Sequence, residues 1–109
     1  LALACELEHP VHLTLSRSGR ARIAAIGARL AVADDRGATI LTRALARIGP
    51  DGASALFDAL SLPNAPARGA AATALMAMGV AGAHSAITQL ASEETDPDVL
   101  RICAALAAG

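Results

Sequence analysis

The chain has 109 residues, enough for one domain with its own core and too few for two comfortable ones. Hydrophobic residues make up 54% of it and aromatics only 1%, a lone Phe57, with a net charge of −1. That balance excludes bulk electrostatics as a route to nucleic acid, and a core of Ala, Leu, Ile and Met argues against a sheet, which would draw on Val, Ile, Thr and aromatics.

A 30-residue period organises the chain. Gly19, Gly49, Gly79 and Gly109 share one column, Leu30, Leu60 and Leu90 another, and Leu15, Leu45 and Leu75 a third, with Ala105 in its fourth row. The repeats run about 1–30, 31–60, 61–90 and a partial 91–109. Each predicts two short helices separated by the column glycine, well placed as the left-handed residue that ends a helix.

The first repeat is the least regular, because Pro10 falls inside its expected first helix. Its opening LALAC is similar to a lipobox, but Ala2 stands where Leu is wanted and no basic flank precedes it, so a cropped or processed start is the better expectation. Cys5, Glu6, Glu8, His9 and His12 gather potential metal ligands, yet Pro10 spoils a helical His9-x-x-His12 pair, and no metal or cofactor is assigned. Cys5 and Cys103 lie near opposite ends, too far apart in sequence for a CxxC motif, and read as free structural thiols.

In the second repeat, Ile40, Leu41, Ala44, Leu45 and Ile48 form an amphipathic stripe that predicts a helix over 38–48. Pro50-Asp51-Gly52 then opens a second helix carrying Ala53, Leu56, Phe57 and Leu60. The third repeat offers RGAAATALMAMG over 68–79 and a second helix over 81–91 with Gly82, Ala83, Ile87 and Leu90. Residues 69–92 carry no acid, Lys or Arg and are long enough to cross a bilayer, but Ala and Gly transfer weakly, and His84 and Gln89 oppose insertion. A soluble, cytoplasmic protein with no membrane contact is expected. Asp34-Asp35, Asn64 with Pro66, and Asp96-Pro97 mark helix starts.

The fourth repeat stops at Gly109, after one helix. It predicts an exposed apolar flank, self-association through that end, and a fragment of a longer array. Arg68 and Arg101 stand 33 apart while the glycines stand 30 apart, which predicts an inserted turn before the last helix.

One such helix pair cannot bury its own apolar face, so neighbours must stack on it. The expected fold is an all-α superhelix, a solenoid of antiparallel helix pairs forming a single module over 1–109. At Arg68-Gly69-Ala70-Ala71-Ala72-Thr73-Ala74-Leu75 followed by Gly79, and at Asp96-Pro97-Asp98-Val99-Leu100-Arg101 with Ala104, the chain resembles HEAT-like repeats of the phycobilisome-lyase type. The second repeat keeps Ala44-Leu45 and Gly49 but has Ala38 where that pattern places Arg. The resemblance implies architecture far more than activity. Iron-binding repeat proteins of the deoxyhypusine hydroxylase group share the architecture and use His-Glu pairs, and this chain has no His-Glu dipeptide.

Seven of the nine basic residues, all arginines, lie between Arg17 and Arg47 against two aspartates, whereas residues 48–109 hold two arginines against six carboxylates. Arg17 and Arg47 share a column and Arg43 lies one turn before Arg47, making these three the candidate binding residues for phosphates or an acidic peptide. The competing reading places Arg17 and Arg47 in last helical turns, where a cation suits the helix dipole. His84 reads as solvent-facing or capping, and Asp51 and Asp58 as a solvated edge. No catalytic constellation can be assembled. The expected function is a non-catalytic scaffold for a protein partner. The alternatives are nucleic-acid binding through the arginine face, as in DNA-glycosylase solenoids that resemble HEAT arrays, and a lyase-type chromophore-attachment role implied by the resemblance alone.

Overall fold

The computed structural model describes residues 19–108. Asp34 starts the first clear helix: its Oδ1 accepts from the Gly37 amide at 2.8 Å, satisfying one of the unpaired donors of the first turn. The helix α2 therefore runs Asp35–Ile48, beginning a turn before the expected 38. Preceding it, α1 covers helical residues 19–30. Gly49, at φ 98°, breaks α2, and Pro50 opens α3, Pro50–Ala59. Helix α4, Ala65–Met78, ends at Gly79 in the left-handed region, where the Gly79 amide donates to the carbonyls of Leu75 and Met76.

Gly82 takes φ 84° and caps α5, Ala83–Glu93, which moves that helix two residues later than expected. Asp96 Oδ1 accepts from the amides of Asp98 and Val99 and starts α6, Pro97–Ala108. Among the described residues there are six helices and no strand. The uncharged run 69–92 is thus interrupted by the turn between α4 and α5, and no helix among the described residues is long and apolar enough to cross a membrane.

Helix α4 is the hub. It lies against α2 and α6, while α3 rests on α2 and α4, and α5 on α4 and α6. Asn64 at the start of α4 bonds the Ala33 carbonyl just before α2, and Arg68 in the first turn of α4 pairs with Glu94 just before α6, so the starts of α2, α4 and α6 lie at one end and the three helices run in one direction. Leu45 and Leu75, one period apart, are both fully buried, and Leu30, Leu60 and Leu90 are buried together. On α2 the expected stripe holds at Leu41, Ala44, Leu45 and Ile48, which are buried or half-buried, and fails at Ile40. Ala38, Thr42 and Leu45 form its buried line, whereas Ile40 is 58% exposed.

The last helix is displaced by two residues rather than by a turn. Caps Asp34 and Asn64 stand 30 apart, while Asn64 and Asp96 stand 32 apart. Buried Ala67 and Ala71 correspond to buried Val99 and Cys103 at that same spacing. Ala105, expected to share the Leu75 environment, is exposed. Leu60 precedes its cap by four residues and Leu90 by six, so the extra pair falls at the end of α5, next to Glu94.

Candidate functional site

Of the three arginines singled out from the sequence, Arg17 lies outside the described residues. Arg43 and Arg47 sit on α2, both exposed and, among the described residues, outside any hydrogen bond or ion pair. Arg47 occupies the last turn, where its charge suits the helix dipole. The structure adds Arg36 and Ile40, which share the stripe because steps of four, three and four residues return to one helix face. That spacing is present in the sequence, where Arg36 lies outside the column that Arg17 and Arg47 share.

Arg43 also borders a groove of about 960 Å³ that crosses α2, α4 and α6. Thr39, Thr42 and Ala46 line its α2 wall, Gly69, Ala70, Thr73, Ala74 and Ala77 its floor, and Val99 and Ile102 its α6 wall. Three threonine hydroxyls there donate to their own helix: Thr39 Oγ1 to the Asp35 carbonyl at 2.9 Å, Thr42 Oγ1 to Ala38 at 2.8 Å, and Thr73 Oγ1 to Gly69 at 3.0 Å. Such back-bonding leaves the groove surface mostly methyl-like. Asp35, Asp96 and Asp98 mark the edge at the helix N-termini, with Arg101 beside Asp98 in an exposed ion pair. Arg47 does not line the groove.

On the opposite side, Arg68 and Glu94 make a bidentate pair. Arg68 Nε donates to Glu94 Oε1 at 2.7 Å and Nη2 to Oε2 at 2.8 Å, while Nη1 donates to the Leu62 carbonyl at 2.8 Å. Glu94 also accepts from the amides of Thr95 and Asp96. These bonds from Arg68 hold its carboxyl below the ordinary value of 4.5, outweighing the burial that works the other way. Asn64 performs a related service by donating from Nδ2 to the carbonyls of Leu30 and Ala33, tying α4 to the end of α1. A second hollow of about 570 Å³ borders Arg68, Phe57, Gln89 and Glu93, but its central charges already satisfy each other.

His84 and Ser54 are exposed, as are Asp51 and Asp58. Cys103 is buried and free, and burial pushes its thiol above the usual range, which makes it a poor nucleophile. The ligand-like group Cys5, Glu6, Glu8, His9 and His12 lies outside the described residues, among which no cluster of three His, Cys, Asp or Glu could hold a metal ion. Comparison with known proteins finds no matching family, no matching curated protein and no matching solved structure.

Proposed function

We propose that this chain is a non-catalytic helical-repeat module of the HEAT-like, solenoid type, which binds a protein partner along the groove crossing α2, α4 and α6. One observation carries the reading: a groove of about 960 Å³ lined mainly by Ala, Gly, aliphatic side chains and back-bonded Thr, with Asp35, Arg43, Asp96, Asp98 and Arg101 as its charged residues. A surface of that kind holds a ligand by shape and apolar area and supplies no group to activate water or a nucleophile. The 30-residue recurrence of caps and buried leucines, and the contact of α4 with both α2 and α6, support the repeat architecture.

Affinity capture from native extract, comparing the parent chain with Ala70→Glu, tests the reading. Ala70 is half-buried on the groove floor, so a carboxylate there should remove the specific partners while leaving the helical spectrum intact. An unchanged set of captured proteins would sink the groove as the binding face.

The stripe Arg36, Arg43 and Arg47 favours a second reading, contact with a phosphate backbone. Three phosphate contacts give a slope of about −3 for the logarithm of affinity against the logarithm of salt. Arg43→Glu with Arg47→Glu should abolish it, and absence of duplex binding even at low salt refutes it. No observation among the described residues favours chromophore attachment.

A further inference from the structure

We infer, on the footing that the groove is a protein-binding face, that its occupant is an amphipathic α-helix lying antiparallel to α2, α4 and α6, with an acidic residue near its start and a basic residue about eight positions later.

Hydrogen bonding decides the conformation of the occupant. The groove wall consists of helices whose interior amides and carbonyls are paired along the helix, and the hydroxyls of Thr39, Thr42 and Thr73 already donate to their own backbones. An extended peptide laid on such a surface would bury its own N–H and C=O groups without partners, which is costly. A helix arrives with those groups already paired and needs only an apolar stripe. The floor suits one, because Gly69, Ala70 and Ala74 let a neighbouring helix axis approach to about 8 Å, the short end of the usual range.

Charge decides the direction. Asp35 and Arg43 both border the groove, both are exposed, and neither takes part in an ion pair among the described residues. They lie eight residues apart on α2, about 12 Å along its axis. Asp98 and Arg101, by contrast, neutralise each other one turn apart on α6. A helix with acid near its start and base near its end has the charge order that its own dipole favours. Placed antiparallel, it sets its acid opposite Arg43 and its base opposite Asp35.

The test uses the full chain, isotope-labelled, and three 18-residue synthetic peptides of equal composition with a Leu and Ala stripe. The first carries Glu and then Lys eight positions later, the second carries them in reverse order, and the third is the first with a central Pro. The first peptide should shift the amide resonances of Gly69, Ala70 and Thr73, gain helicity on binding, and bind at least tenfold more tightly than either other peptide. The double variant Asp35→Lys with Arg43→Glu should reverse the preference between the first two. Arg43→Gln alone, which leaves the first turn of α2 untouched, should weaken the first peptide and strengthen the second, whose Lys it frees from repulsion.

Equal affinity for the first two peptides overturns the direction. Equal binding of the Pro peptide at the same amides overturns the helical occupant while leaving the groove as a protein-binding face. If no peptide shifts those amides, the groove reading falls together with this inference, and shifts that grow with protein concentration alone assign the groove to a second copy of the chain and overturn it too.

Discussion

Gly52 and Gly82 occupy the same column of the repeat and are glycine for different reasons. A Cβ on Gly52 would sit 1.8 Å from the Leu45 carbonyl oxygen, because α3 crosses α2 there with backbone against backbone. Gly82 has open space around it but adopts φ 84°. Gly69 is a third case: its Cβ would press on the tip of Ile102 at 2.8 Å, which can move aside, and touch Val99 at an ordinary 3.9 Å. Gly52→Ala should therefore destabilise by about 3 kcal/mol or more, since backbone cannot yield without separating the helices. Gly69→Ala should fall within about 1 kcal/mol of the parent, as strain against Ile102 is offset by the helix propensity gained. Urea unfolding of the two variants checks both, and similar losses would show that the α2 and α3 crossing is not the tighter one. In the sequence Gly52 reads as part of an opening Pro-Asp-Gly turn, and nothing local distinguishes it from Gly82.

At the scale of elements, the joins between helices carry as much specificity as the helices. The Arg68 and Glu94 pair fixes the first turn of α4 to the loops on either side of it, one through the Leu62 carbonyl and one through Glu94. Its side chains are nearly out of solvent, 16% and 2% exposed, so losing one partner leaves a buried charge. Glu94→Gln should cost about 3 kcal/mol at neutral pH. The sign of the pH dependence follows from the lowered carboxyl: as pH falls through 4.5 the unfolded chain takes up the proton first, and the stabilisation is lost progressively until the folded group protonates. Parent and Glu94→Gln stabilities should thus converge as the solution is acidified below that value and differ fully above it. A constant difference in chemical denaturation between pH 3 and pH 7 would show that the pair contributes by shape alone. Arg68 stood out in the sequence as a repeat position, but Glu94, 26 residues away, lay in the two-residue extension that the strict period treats as noise.

For the whole molecule, the arrangement of contacts predicts where the structure opens first. Helix α4 touches α2, α3, α5 and α6, whereas α6 touches α4 and α5. Amides within 71–75 should exchange only with global unfolding, and those of α6 through local opening several times faster. Hydrogen exchange followed by NMR checks the order, and equal protection in α4 and α6 would contradict it. The groove belongs to this scale as well, since no single helix has it. Its floor comes from the most regular stretch, 68–79, which as a sequence reads only as a helix built for close stacking.

Helix positions, caps and the shared burial of Leu45 with Leu75 were legible along the chain, because capping and periodicity act within one or two turns. Asp34, Gly79 and Asp96 do locally what their residue types allow. The exposure of Ile40 on α2, the two-residue slip that exposes Ala105, the crossing at Gly52 and the partnership of Arg68 with Glu94 were settled only when the helices came together. Each depends on which residues, distant in sequence, share a surface, and side-chain chemistry read one turn at a time contains no term for that. Arg43 shows the difference within one residue: its exposure on α2 and its distance from Asp35 were readable, and its place beside a groove shared with α4 and α6 was a product of the fold.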